Sequence, residues 1–521
     1  MNKLFLNKNY IFYSILAVFS FYINFYVGSN GVFPLDTFIH YDNGYRILLG
    51  EHPVKDYWIV HGFLIDYIQA FFFKFFGNEW KSYLYHSSIF NSCIVLFCFY
   101  VFQALNLNVK ISLLLSISLS ILAYPVSGTP FLDLHSSYFS LFSIFFGIIA
   151  IKKNKTFLWF WSSFFLCVAF FSKQVPAGYT IIFTTLIVLY LSIKTNKIFI
   201  LLYFAGGFLF FLTLLLMFLT LNSINVYDFI LQIFLFPSSI GSNRYETYSL
   251  SFKNIFLDYK FIYLIFFIII FLNFKKYLKN KNLNKDNFHI FLLITAIVFS
   301  SIFHQIYTKN QIYIFFLIPI CSGFAIYFNN LKRENLKKCL NIFIILLCIL
   351  TTFKYHERFN VKRKFHELQH TSIENTLEAS KIHKKFSGLN WISPHYENPQ
   401  EEIFYISNLI EVLLKEKKKV MLITHYNFFS SLTEKKLFSP SRTFDFISYP
   451  RKNTKYYKNY KKLLINLLKK NKIQKILIFK THLDYDLDHL IFNYVKTECF
   501  SKKYLNENLL LLNVKTCEVL K

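Results

Sequence analysis

The sequence predicts a mainly α-helical, multi-pass membrane protein that ends in a small α/β domain. Of its 521 residues, 54% are hydrophobic and 21% are aromatic, while only 17% are charged. A soluble globular fold cannot bury so many apolar side chains, so the composition excludes that class. The formal net charge of +28 agrees with a membrane protein, because lysine and arginine collect in short loops between the spans. Their distribution over such loops disfavours a nucleic-acid-binding protein.

The transmembrane part is predicted from apolar runs, which need about 17–25 residues to cross a bilayer as a helix. About eleven runs approach that length. They are residues 10–27, 83–104, 111–126, 138–151, 157–171, 176–193, 198–221, 261–274, 288–303, 312–328 and 339–353. The first run is too long for the apolar part of a cleavable signal peptide, so we expect a retained helix. Two further stretches, 63–76 and 226–236, have the length of interfacial or re-entrant helices.

The orientation is predicted from the charges between these runs. If the amino terminus is cytoplasmic, every cytoplasmic connection is basic, most strongly at residues 152–155, 275–285 and 332–338. We therefore expect a transmembrane domain over residues 1–353 of a protein in the inner (plasma) membrane. Its first extracytoplasmic loop is predicted at residues 28–80, and the tail from residue 354 is predicted on the same face.

The tail, residues 354–521, has a different pattern. Short β-branched or leucine-rich runs at 419–424, 476–479 and 509–514 alternate with amphipathic helical patterns at 401–415 and 456–470. This alternation predicts a small α/β domain with a partly parallel sheet. We expect an accessory or acceptor-contacting domain, with a purely structural cap as the alternative. Cys499 and Cys517 are candidates for a disulfide if the tail faces an oxidising compartment.

Ionisable residues are concentrated in the first predicted extracytoplasmic loop. Residues 31–77 contain Asp36, His40, Asp42, Arg46, Asp56, His61 and Asp66. Charged groups beside a bilayer are costly unless they face water or a partner, so this density indicates a functional site. Later loops on the same predicted face add Asp133, His135, Lys173, Arg244, His304 and Lys309. A carboxylate base for an acceptor hydroxyl, with cations for a departing phosphate, suffices for transfer from a lipid-linked phosphate.

A motif follows Asp36. The run NGYRILLGEHPVKDY at residues 43–57, with His61-Gly62 after it, resembles the first extracytoplasmic loop of GT-C fold glycosyltransferases, the relatives of protein mannosyltransferases and lipid A aminoarabinose transferases. The resemblance implies a GT-C-like fold and inverting transfer of a sugar from a polyprenyl-phosphate donor to a lipid, glycan or protein acceptor. It places Asp36 where that family has its catalytic aspartate. Two departures are that no second acidic residue adjoins Asp36 and that Phe63 replaces the usual proline. The first leaves a divalent metal without support, so no cofactor is assigned.

Each candidate residue has a functional and a structural interpretation. Asp36 is the favoured base, with a helix N-cap as its alternative, and Asp42 is the rival base. Eight further residues are predicted to contact substrate: Asp56, His61, Asp133, His135, Lys173, Arg244, His304 and Lys309. Arg244 and Lys309 are expected to bind the phosphate. As structural alternatives, Asp56 and His61 orient the loop, Asp133 and His135 form a metal site or hydrogen bonds, Lys173 marks the membrane boundary, and His304 is only packed.

Two other classes of protein compete with the glycosyltransferase. A transporter or flippase of lipid-linked sugars predicts mid-bilayer charges, broken helices and repeat symmetry, whereas the polar residues here gather on one predicted face and no repeat is visible. A non-enzymatic membrane assembly protein leaves Asp36 and the basic loop residues without a joint role.

Overall fold

The structure is a computed structural model. It describes residues 2–30, 34–246, 251–279, 285–308, 311–330, 337–365, 368, 371–393, 396–445, 447–480, 487 and 489–515. The fold is mainly helical, with short strands toward the carboxyl terminus, as the sequence predicts.

The helices occupy most of the described chain. In chain order they are α1 Asn2–Gly28, α2 Pro34–Leu48, α3 Leu64–Phe76, α4 Trp80–Ala104, α5 Val109–Leu122, α6 Leu132–Lys152, α7 Leu158–Ser172, α8 Gln174–Thr195, α9 Ile198–Leu221, α10 Val226–Ile230, α11 Phe236–Glu246, α12 Lys260–Lys279, α13 Lys285–Thr308, α14 Leu317–Asn330, α15 Lys337–Tyr355, α16 Pro399–Lys415, α17 Phe429–Thr433, α18 Tyr457–Lys470 and α19 His489–Phe492. The strands are β1 Leu377–Glu378, β2 Asn390–Trp391, β3 Val420–Ile423, β4 Lys475–Phe479, β5 Phe500–Asn506 and β6 Leu509–Val514.

Within the described ranges, 8 helices are long and apolar enough to cross a membrane. They contain the predicted spans at 10–27, 83–104, 111–126, 138–151, 176–193, 198–221, 288–303 and 339–353. The three remaining predicted spans, 157–171, 261–274 and 312–328, fall on α7, α12 and α14, which are shorter or less apolar than the 8 candidate spans. In the last case a 3₁₀ turn at Gln311–Ile314 separates the start of the apolar run from the helix that begins at Leu317. The apolar stretch at 63–76 corresponds to the short helix α3, and the stretch at 226–236 forms α10, a π-helical turn at Leu231–Leu235 and the start of α11. That neither stretch crosses the membrane stays a prediction.

Packing divides the chain into two compact units, and the first contains Met1–Gly28, Leu84–Leu216 and Thr247–Phe365. Small polar side chains join its helices. The Asn24 amide donates to the hydroxyls of Ser87 and Ser88 at 2.9 and 3.0 Å, and the Ser143 and Ser162 hydroxyls lie 3.0 Å apart. Short side chains of this kind allow close helix packing and satisfy polar atoms without water, as is typical of membrane helices.

The second unit contains Ser29–Tyr83, Met217–Glu246 and His366–Lys521. Its main sheet has the order β3-β4-β6-β5, with β3 and β4 parallel and the other neighbours antiparallel. Strands β3, β4 and β6 and helices α16 and α18 coincide with the predicted elements, so the partly parallel α/β arrangement of the tail is confirmed. The sequence patterns missed β5, whose residues are mostly exposed.

The same unit holds the predicted first loop, most of which is helical. The Phe38 ring on α2 packs against Phe386, Trp391 and Phe428, with centroid distances of 5.2, 5.9 and 5.1 Å. These contacts attach α2 to the tail through a buried aromatic cluster. The predicted domain boundary between residues 353 and 354 stays a prediction, because the two compact units are defined by packing and not by position in the membrane.

The cysteines divide as expected between apolar segments and the tail. Cys93, Cys98, Cys167, Cys321, Cys339 and Cys348 are free. Cys499 is disulfide-bonded, and Cys517 lies outside the described residues.

Candidate active site

Helix α2 positions the two carboxylates predicted to act as base. It begins at Pro34, with Asp36 in its first turn and Arg46 in its last. Proline is favoured at the first helical position, and this order of charges complements the helix dipole at both ends. Asp36 is half-buried. Its place inside the first turn is not that of an N-cap residue, which precedes the helix.

Asp42 lies further along α2 and is held by the tail. The Ser430 hydroxyl donates to Asp42 Oδ2 at 3.1 Å, and the Ser431 backbone N–H donates to Oδ1 at 3.2 Å. Burial raises the pKa of Asp42 to about 6, against the opposing effects of Arg46 and of these hydrogen bonds. The side chain keeps partial solvent exposure. A carboxylate that is accessible and titrates near neutral pH has the properties of a general base.

Arg46 is fixed between the first loop and the tail. Its Nε donates to Glu51 Oε2 at 2.7 Å and its Nη2 to the Ser439 carbonyl at 3.1 Å. The guanidinium also lies 3.9 Å from the centre of the Tyr57 ring. Arg46 is buried, and the nearby Glu51 carboxylate raises its pKa against the opposing effect of burial. Arg46 therefore supplies a permanent positive charge one helical turn from Asp42.

A second buried network, of hydrogen bonds and ion pairs, connects α2, α3 and the tail. Asp66 Oδ1 lies 2.6 Å from His40 Nδ1, and its other oxygen pairs with Arg442. Arg442 also donates to the Gly62 carbonyl at 3.1 and 3.2 Å. Burial lowers the pKa of His40 despite Asp66, so we assign a neutral ring that donates from Nδ1 to Asp66 Oδ1. This network fixes the orientation of α2.

The structure gives Asp56 an orienting role within the loop. Its Oδ2 accepts the backbone N–H of His52 at 2.9 Å, and its Oδ1 lies 3.6 Å from Lys470 Nζ. Asp56 also lines a cavity in the second unit. His61 is half-buried. The proposed contacts of both residues with substrate stay predictions.

In the first unit, three predicted residues from separate segments meet. Lys173 Nζ lies 2.6 Å from Asp133 Oδ2, and His304 Nε2 lies 2.7 Å from Asp133 Oδ1. Asp133 lies in the first turn of α6, Lys173 is an extended residue between α7 and α8, and His304 is on α13. The sequence predicted that cations and histidines would converge on a substrate anion. Here the anion between Lys173 and His304 is the Asp133 carboxylate itself.

His135 takes part in a different set of contacts. Its Nδ1 lies 2.6 Å from the Tyr124 hydroxyl, and its Nε2 lies 2.9 Å from His86 Nε2. Within the described part of the chain, no group of three or more His, Cys, Asp or Glu side chains could hold a metal ion. The contacts of Asp133 and His135 correspond to the hydrogen-bonding alternative of the sequence analysis. The Arg244 backbone lies in α11, but its side chain and all of Lys309 lie outside the described residues.

Sequence reasoning missed the partners that the tail supplies. Ser430, Ser431, Ser439 and Arg442 contact α2 or the loop after it, yet they are nearly 400 residues away in the chain, as the 388-residue separation of Ser430 and Asp42 shows. No local motif marks them. A possible signal was the polar run from Ser439 to Arg442, which lies between the predicted strand at 419–424 and the helix at 456–470.

No protein-family model matches the chain, and no curated protein matches it. Among solved structures, the chain is similar to ArnT from Cupriavidus metallidurans, crystallised with undecaprenyl phosphate. The TM-score is 0.48 and the sequence identity is 10%, over 98% of this chain and 99% of that chain.

Proposed function

We propose that this protein is a membrane glycosyltransferase that moves a sugar from a polyprenyl-phosphate donor to an acceptor hydroxyl on the extracytoplasmic face. The observation that carries the proposal is the position of Asp36. It is a half-buried carboxylate in the first turn of α2, a few residues after the first candidate span ends at Gly28. Its segment carries the motif that resembles the GT-C loop.

Asp36 acts as general base in this proposal. It takes the proton of the acceptor hydroxyl while the acceptor oxygen forms a bond to the anomeric carbon and the bond to the lipid phosphate breaks. Attack and departure in a single displacement invert the anomeric carbon, because no glycosyl-enzyme intermediate forms. The leaving group is a phosphate that is already anionic, so no protein acid is required.

The cations stabilise the charge that develops on the phosphate. Lys173, Arg244 and Lys309 are the proposed contacts, with His304 beside Lys173. Lys173 keeps 14% of its side chain exposed while paired with Asp133, so a phosphate oxygen could share its ammonium without breaking the pair. Asp133 and His304 then position Lys173.

Asp42 is the second candidate for the base, and a specific observation favours it. Its pKa of about 6 means that both protonation states are populated near neutral pH, as a general base requires. A base at Asp42 gives transfer that falls below about pH 6, because the carboxylate is then protonated.

The test is transfer of a labelled sugar by the purified full chain in liposomes that contain polyprenyl-phosphate sugars and a panel of acceptors. A parallel sample measures movement of the same lipid across the bilayer. Labelled acceptor that accumulates in the presence of the protein supports the proposal. Movement of the lipid with no transfer across a broad donor panel would instead establish a flippase.

A further inference from the structure

The second unit contains a polar cavity that the proposed chemistry does not use. It has a volume of about 320 Å³, and its lining residues come from three segments, within 54–58, 225–232 and 459–470. Neither Asp36 nor Asp42 belongs to its lining. This volume is at the lower end of the range of small-ligand sites, about 300–1,000 Å³.

One wall is a polar stripe along α18. Asn459, Lys462, Asn466 and Lys470 all line the cavity. Their spacing of three or four residues places them on one face of the helix, while Tyr460, Leu464 and Leu468 point into the core. The helix is therefore amphipathic, with amide and ammonium groups directed at the cavity.

The charges of the lining nearly balance. Lys55, Lys462 and Lys470 face the carboxylates of Asp56 and Asp228. Lys55 donates to the Asn222 carbonyl at 2.8 Å, and Lys470 lies 3.6 Å from Asp56 Oδ1. Two of the three cations therefore have oxygen partners, and the three lysines stand against two carboxylates in the lining. This small excess of positive charge is not the concentrated charge that binds a phosphate or a metal ion.

Aromatic side chains also line the cavity. The Tyr227 ring is exposed, whereas Trp58 is only 2% exposed. The indole nitrogen of Trp58 has almost no accessible surface, so Tyr227 supplies the aromatic surface that a ligand can reach.

We infer that this cavity binds a short stretch of saccharide, and that it holds the acceptor glycan of the proposed transfer. A sugar hydroxyl both donates and accepts hydrogen bonds, so it needs the mixture of amides, carboxylates and ammonium groups found here. Its C–H faces pack on aromatic rings such as Tyr227. The acceptor role rests on the proposed function, whereas saccharide binding rests on the cavity alone.

The test is equilibrium binding of labelled neutral trisaccharides of glucose, mannose, galactose or N-acetylglucosamine to the purified full chain in detergent. Asn466→Trp fills the cavity, and Lys469→Trp places the same side chain at an exposed position of α18 outside the lining. We expect the wild type and Lys469→Trp to bind at least one trisaccharide equally. Asn466→Trp should lose that binding.

Two outcomes overturn the inference. One is that no trisaccharide binds the wild type, and the other is that Asn466→Trp binds as tightly as Lys469→Trp. The transfer assay separates this result from the proposed function. Transfer that continues at the wild-type rate in Asn466→Trp refutes the acceptor site and leaves the glycosyltransferase intact. Saccharide binding without transfer from any donor keeps the site and refutes the reaction.

Discussion

Replacing Asp42 by asparagine should stabilise the protein at neutral pH. Burial raises the pKa of this carboxyl from 3.8 to about 6, so the folded state prefers the protonated form. At about pH 4 and below, the folded and unfolded states differ little in protonation and the group costs little. As the pH rises from about 4 to about 6, the unfolded chain ionises while the folded protein keeps the proton, so stability is lost, and above about pH 6 the loss is constant.

The size of the effect follows from the shift in pKa. A rise of about two units corresponds to at most about 3 kcal/mol, and the partial exposure of the side chain reduces it to about 1–3 kcal/mol. Asparagine preserves both contacts, because its oxygen accepts from the Ser431 N–H and its amide donates to the Ser430 hydroxyl. Asp42→Asn should therefore unfold at a higher temperature than the wild type at pH 8 and at the same temperature at pH 4.

The assay is thermal unfolding of the detergent-solubilised full chain, followed by tryptophan fluorescence between pH 4 and pH 8. Glu411→Gln, at an exposed position of α16, is the matched control and should track the wild type throughout. A difference between Asp42→Asn and the wild type that is constant with pH, or that is largest at pH 4, would refute the argument that Asp42 is buried as an anion.

Three further predictions concern the polar clusters and the orientation of the chain. Asp133→Ala leaves the ammonium of Lys173 without its partner in a mostly buried place, so the free energy of unfolding should fall by about 3–5 kcal/mol; an unchanged unfolding temperature would contradict this. Arg442→Met removes a buried partner of the α2 and α3 network, so limited proteolysis should cut the loop after α2 faster than in the wild type, and an unaltered rate would count against the network. If the tail is extracytoplasmic, a membrane-impermeant maleimide should label Lys503→Cys on intact cells and Lys153→Cys only after permeabilisation, above the wild-type background; the opposite pattern would reverse the topology.

The helical fold was largely predictable, because long apolar runs have few alternatives in a bilayer. Strands β3, β4 and β6 were predictable for a related reason, since they are short, buried and rich in Val, Ile and Leu. Strand β5 was missed because Ser501, Lys502 and Lys503 interrupt any apolar alternation. Charged residues are expected on an edge strand, where they discourage pairing with other chains, and β5 lies at the edge of the sheet.

The candidate site was predictable only in part. The carboxylates of α2 were found because charge beside an apolar run is conspicuous, and the meeting of Lys173 and His304 was expected because both were predicted on the same face. The anion that they meet was expected to belong to a substrate, whereas in the structure it is the carboxylate of Asp133. The contacts from Ser430 and Arg442 depend on long-range packing of the tail against α2, which no local pattern encodes.

The most direct test of the central claim is sugar transfer by Asp36→Asn and Asp42→Asn, compared with the wild type at equal expression and over a range of pH. Asparagine keeps the size of the side chain but cannot take a proton. The account predicts that Asp36→Asn binds the polyprenyl-phosphate donor normally and transfers sugar about 10²–10⁴-fold more slowly, while Asp42→Asn retains most of its activity. Transfer by Asp36→Asn at the wild-type rate would contradict the account and move the base to another carboxylate.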